Sequence, residues 1–208
     1  MASSIVSYST LQSAVADWLD RSDLTTQIKD FIAFGEERLN RQLRIRDFET
    51  ALSDTISSGV IAVPSGYLEM KYAYVNSTPT SPLVRADVEY IYKNYPTRSA
   101  DSKPAYYARE AGNFIFGPYP DDDYTIKGVY YAAPSALSDA NTTNYYTDSA
   151  PELILYASLL SAEVFLKNDE RYPLWKAKYE ELVSDIQSQD DDEYLSGSSI
   201  AVTVETNP

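Results

Sequence analysis

PELILYASLLSAEVFL at residues 151–166, followed closely by YPLWKAKYEELVSDIQ at 172–187, is the stretch on which the fold turns. Pro151 stands in a first-turn position, where a missing N–H costs nothing. Leu153, Ala157, Leu160 and Val164 then recur at helical spacing, so the first segment reads as a helix with one buried stripe. The second opens at Pro173 and repeats the stripe at Trp175, Tyr179, Leu182 and Ile186. Lys167, Asn168 and Asp169 leave room only for a tight connection, which predicts an antiparallel helical hairpin over 151–189. Each stripe needs a partner from elsewhere in the chain.

The partners are sought at the other end. Ser9 with Gln12 three residues later has the form of a capping box, and Leu11, Val15, Trp18 and Leu19 trace one face of a helix over 10–19. A second helix places Ile28, Phe31, Ile32, Gly35, Leu39 and Leu43 on its buried side, with Gly35 allowing a close helix contact. Its opposite side is expected to hold Glu36, Glu37, Arg38, Arg41 and Arg44. From Thr50 the period changes to alternation, and turn residues come at short intervals. Strands are expected on either side of a turn at Ser57, Ser58 and Gly59, over 67–75, in a hairpin at 105–116, and over 124–131. In the strand at 67–75, Leu68, Met70, Tyr72 and Tyr74 should share a face. Residues 77–82 and 135–149 read as loops, and 86–95 as a short helix.

The expected architecture is therefore α+β. Helices from residues 1–49 and a hairpin at 148–189 form a helical bundle, an inserted antiparallel β lobe occupies 50–147, and 190–208 form a flexible C-terminal arm. Within that arm Ile200, Val202 and Val204 alternate with Ala201 and Thr203, the pattern of a strand that could add to the edge of another chain's sheet.

Composition narrows the function. The 208 residues include neither cysteine nor histidine, which removes disulfides, thiolate nucleophiles, and the commonest metal ligand and general base. There are 31 acidic against 17 basic residues, a net charge of −14, so the long-range field repels nucleic acid. No apolar run approaches the roughly 20 residues of a membrane span, and MASSIVSYST lacks the regions of a signal peptide. A soluble protein made in the cytoplasm is expected.

The candidate chemistry is sparse. Asp121, Asp122 and Asp123, and likewise Asp190, Asp191 and Asp192, offer oxygens but lack the spacing and central glycine of a calcium loop. Glu36 with Glu37 and Glu180 with Glu181 are adjacent on helices, so their carboxylates point apart rather than across a glycosidic bond. No serine lies in a nucleophile elbow or beside a lysine in the spacing catalysis needs, and no glycine-rich phosphate loop occurs. No catalytic residue, cofactor or metal is assigned. The remaining interaction candidates are the basic cluster Arg38, Arg41, Arg44 and Arg46, and the apolar residues Ile200, Val202 and Val204. In so acidic a chain the arginines are expected to pair within the molecule.

Several phrases carry a resemblance: QIKDFIAFGEERLNRQL at 27–43, Tyr67-Leu68-Glu69 after Pro64, PAYYAREAGNFIFGPYP at 104–120, YTIKGVYYAAPSALS at 124–138, and the hairpin with its WKAKYEEL. In these phrases and in their order the chain resembles the head-to-tail adaptor (connector) proteins of tailed bacteriophages. The resemblance implies a structural virion protein, not an enzyme. It would be one subunit of a ring, a dodecamer in the usual form, docked beneath the portal protein and against tail or nozzle proteins. DNA would pass through the channel without sequence-specific binding. The implied location is the head–tail junction, after synthesis in the host cytoplasm. The rival readings are a tail-completion or tail-tube component, and a carbohydrate-binding or cell-wall-degrading virion protein whose tyrosines stack on sugars.

Overall fold

The computed structural model describes residues 3–99, 101–166 and 170–196. In chain order its elements are α1 (Tyr8–Leu19), α2 (Thr25–Gln42), β1 (Glu49–Thr55), β2 (Val60–Ala62), β3 (Tyr67–Val75), β4 (Ser81–Arg85), α3 (Val88–Asn94), β5 (Tyr106–Glu110), β6 (Asn113–Gly117), β7 (Thr125–Ala132), α4 (Tyr145–Asp148), α5 (Pro151–Leu166) and α6 (Tyr172–Ser196). They fall into two units, residues 1–47 with 134–208, and residues 48–133.

In the first unit α5 is enclosed by the other helices. Residues 153–160 are buried without a break, as is Ala162, so this helix is covered all round rather than along one stripe. Val164, the last member of the expected stripe, is 85% exposed. Within the buried run Ser158 satisfies its hydroxyl by donating to the Ile154 carbonyl at 2.7 Å. Where α2 meets α5 a Cβ on Gly35 would stand 3.0 Å from the Ser158 nitrogen and 3.1 Å from the Ala157 carbonyl carbon. The two backbones approach that closely because no side chain intervenes. The cap of α1 is Ser7, not Ser9: Thr10 N–H donates to Ser7 Oγ while Ser7 N–H donates to Thr10 Oγ1. Trp175 and Tyr179 bury the first turns of α6, which continues to Ser196, past the break expected after Gln189. The connection at 167–169 and the residues Ile200, Val202 and Val204 lie outside the described residues.

The second unit is a seven-stranded sheet in the order β1-β7-β3-β4-β5-β6-β2. All its neighbouring pairs are antiparallel except β4 with β5, which run parallel through Val84↔Tyr106 and Arg85↔Tyr107. The end strands β1 and β2 are joined by the short turn at 57–59, where Ser57 bridges to Val60. The sheet therefore curls until its edges nearly meet. Every strand contributes to the interior: Leu52, Ile61, Met70, Leu83, Tyr107, Phe116 and Ile126 belong to one cluster. The void left among them is about 10 Å³, so the interior is a packed core and not a ligand cavity. On the outside, α3 sets Ile91 against Ala108 and Ile115.

These findings overturn the expected architecture, a helical bundle with an inserted antiparallel β lobe. The protein is an α+β mix of six described helices and one nearly closed mixed sheet. The physical cause is β4, whose first residues, Ser81 and Pro82, fall in the expected loop at 77–82, proline being unable to donate to a ladder, and whose residues 83–85 carry no expected element. Pro82 lies where β4 pairs with β3 alone, before pairing with β5 begins at Val84, so its missing N–H interrupts nothing. Two smaller expectations also fail. Register shifts of β3 against β7, between Tyr67 and Glu69 and between Met70 and Tyr72, break the alternation; Met70, Ala73 and Val75 are buried while Tyr72 is 53% exposed. Residues 135–149 are no open loop, because they contain α4, capped by Asn144, and bury Leu137, Tyr146 and Thr147.

Candidate interaction surface

The basic cluster follows from where α2 ends. Cations are favoured there by the helix dipole, and the last turn leaves carbonyls to be satisfied. Arg44 donates from Nη1 to the carbonyls of Asn40 at 2.8 Å and Leu43 at 2.6 Å. Arg41 lies 3.7 Å from Glu37, both largely exposed, and Arg38 sits over the Tyr179 ring at 6.0 Å. Arg46 is engaged most: its backbone N–H donates to Asp190 Oδ1 at 2.9 Å, its Nη2 to the Asp190 carbonyl at 2.9 Å, and Nη2 stands 3.0 Å from Glu193. These contacts hold the C-terminal part of α6. The four arginines are thus gathered at one end of α2, and each has a partner within the chain.

Beside Arg46 lies a hollow of about 260 Å³ lined by Ile45, Asp47, Tyr145, Ile186, Asp190 and Glu193. An adjoining one of about 230 Å³ adds Gln42, Arg44 and Asp191. Burial pushes the Tyr145 hydroxyl above its ordinary value, and Asp47 and Asp190 add to this, so it stays protonated. The acidic walls suit a basic side chain and oppose a phosphate. Among the described residues no group of three or more acidic residues could hold a metal ion.

Glu36 was expected on the exposed face of α2 and is instead 5% exposed. The segment after β7 crosses it, so that Leu137 N–H donates to its carboxylate at 3.1 Å and Asn144 Nδ2 at 2.8 Å. Burial raises its pKa, and these two bonds oppose the shift.

The strand unit offers a surface that the sequence reading missed. A cleft of about 280 Å³ is lined by Tyr67, Leu68 and Glu69 of β3, Arg85 at the end of β4, Tyr107 and Arg109 of β5, and Phe114 of β6. The Arg109 guanidinium lies over the Tyr67 ring at 5.3 Å. Among the described residues neither Arg85 nor Arg109 forms an ion pair or a side-chain hydrogen bond. Burial raises the pKa of Tyr67 and Tyr107, which therefore remain neutral hydroxyls. One signal was legible: Tyr107 and Arg109 sit two apart in an alternating run. Arg85 carries none, since residues 83–85 fall between the expected loop at 77–82 and the expected helix at 86–95.

The model of the SU10 adaptor protein family matches the chain over residues 6–202. No curated protein matches it closely enough to count as a relative.

Proposed function

The chain belongs to the SU10 adaptor protein family, structural proteins of the phage head-to-tail junction, and on that premise we propose that copies of it form a ring beneath the portal, joining capsid to tail around a passage for DNA. The observation that carries this reading is the extent of the family match, which takes in both units rather than a single module. Two features support it. A net charge of −14 suits the wall of a DNA passage, because a surface that gripped phosphates would hold the duplex in place while a repelling one lets it slide. The acidic hollow around Asp47, Asp190 and Glu193 suits a lysine or arginine offered by the portal protein. In this reading Arg46, through Asp190 and Glu193, and Arg38, over the Tyr179 ring, fix the part of α6 that walls that hollow.

The test is mass photometry of the full chain mixed with the portal protein of the same phage. The expected result is a discrete species heavier than the portal by a whole number of copies. A portal mass unchanged after the mixture is crosslinked with the chain at about 20 μM would refute the ring, since contacts of low-micromolar affinity are mostly occupied at that concentration.

A further inference from the structure

The cleft on the strand unit is a place where the sheet comes apart. β4 is the strand between β3 and β5, but it pairs with β3 only at Ala73, Tyr74 and Val75, and with β5 only at Tyr106 and Tyr107. After Ala86, whose N–H still donates to the Tyr107 carbonyl at 2.9 Å, the chain leaves to form α3. Among the described residues, no strand pairs with that side of β3 before Ala73 or with that side of β5 beyond Tyr107. Two stretches of sheet edge thus face one gap, and an open edge is a template for a further strand. At the gap stand two arginines without an acidic partner, in a chain where acidic residues outnumber basic ones by 31 to 17. Glu69 is the one carboxylate in the cleft lining and Arg109 rests on the Tyr67 ring, so two guanidiniums against one carboxylate leave a rim of net positive charge that suits an anionic group from outside.

We propose that this gap receives residues 200–205 of a neighbouring copy, IAVTVE, as an added strand that fills the line β4 leaves empty. The segment has what the site asks for. Ile200, Val202 and Val204 alternate, giving an apolar face for the aromatic floor of Tyr67, Tyr107 and Phe114. Glu205 follows at the end of the run, and residues 197–208 contain no lysine or arginine to oppose Arg85 and Arg109. Gly197, Ser198 and Ser199 alone link Ser196 to the docked run, a reach of up to about 14 Å when extended, so the receiving cleft belongs to a copy packed directly alongside. This inference rests on the reading that copies of the chain meet side by side in a ring.

The probe is a fluorescent peptide of residues 197–208, titrated by anisotropy against the full chain, with sedimentation run in parallel. A full chain carrying Ile200→Asp, Val202→Asp and Val204→Asp supplies a receptor whose own segment cannot compete. Saturable binding to that receptor is expected, weakened at least about tenfold by Arg85→Glu with Arg109→Glu, and regained when Glu205 of the peptide is changed to Arg. Any oligomer of the native chain should dissociate in the same charge-reversed variant, whose thermal midpoint stays that of the parent because both arginines are exposed. Absent binding, or binding indifferent to the two arginines, would overturn the proposal. So would a native chain that is monomeric yet closed to the peptide, since its segment would then occupy its own cleft. A chain that binds the peptide but adds no mass to the portal would fell the ring and leave the cleft standing; a ring that forms without peptide binding would do the reverse.

Discussion

Two groups of arginines, one in each unit, differ in whether any member meets a carboxylate, although Arg98 of the strand unit is itself satisfied by the Phe116 carbonyl and Arg109 rests on the Tyr67 ring. In the unit of residues 1–47 and 134–208, the clustered Arg38, Arg41, Arg44 and Arg46 each meet a carboxylate, a carbonyl or a ring of the same chain. In the unit of residues 48–133, Arg85 and Arg109 are far apart in sequence, share one cleft, and have no ion pair among the described residues. The helical unit is also closed in its packing, with α5 buried without a break over residues 153–160. The sheet is closed only in part. A cluster in sequence is therefore a poor guide to a contact surface where the fold supplies partners, and a leftover charge beside an unpaired strand edge is a better one.

The sharpest way to break this contrast is to remove a large buried side chain from the helical unit. Trp175, 1% exposed, changed to alanine should lower stability by about 3–5 kcal/mol in urea unfolding. Arg85→Glu with Arg109→Glu should stay within about 0.5 kcal/mol of the parent while weakening self-assembly. Equal losses from the two would mean that the cleft arginines are structural.

A second pair compares glycines. Gly35→Ala pushes a methyl against the backbone of α5 and should cost about 1–3 kcal/mol. Gly112→Ala, in the turn between β5 and β6, meets nothing within 4 Å and should be neutral to within about 0.5 kcal/mol. Thermal midpoints of the two variants decide it.

A smaller effect is expected at Tyr146, fully buried and donating to Asn40 Oδ1 at 2.7 Å. Tyr146→Phe should cost about 0.5–1.5 kcal/mol, the net worth of one such bond, with the packing kept. The smallest is a pH effect at Glu36. Burial holds its carboxyl above the ordinary range, so the folded state keeps this proton to higher pH than the unfolded chain does. Its stabilisation is complete below the ordinary carboxylate value and is lost as pH rises through the raised one. Glu36→Gln should flatten that part of the profile, read as denaturation midpoints from about pH 4 to 7.

Much of the helical unit was legible because helices are local. The stripes at Leu11 and Val15, at Ile28 to Leu39, and at Trp175 and Tyr179 each declare a buried face within one segment. Gly35 was also readable, as a small residue in an apolar stripe. Glu36 was not, because its partners, Leu137 and Asn144, lie about a hundred residues away and pattern alone gives no sign of them. The strand unit was legible in its strands but not in its sheet. β4 is short and contains proline, yet its pairing with β5 makes the sheet mixed. Missing that one strand hid both the curl of the sheet and the gap where β4 stops. Arg85 and Arg109 become neighbours only through that topology.

Hydrogen exchange of the full chain, alone and mixed with the portal protein, tests the central contrast most directly. The account predicts that α5 amides are protected in both states. Edge amides within residues 68–72 and 108–110 should exchange freely in the chain alone and slow by at least about tenfold once copies assemble. Edge amides already as protected as those of β7 in the free chain, or still open after assembly, would contradict it.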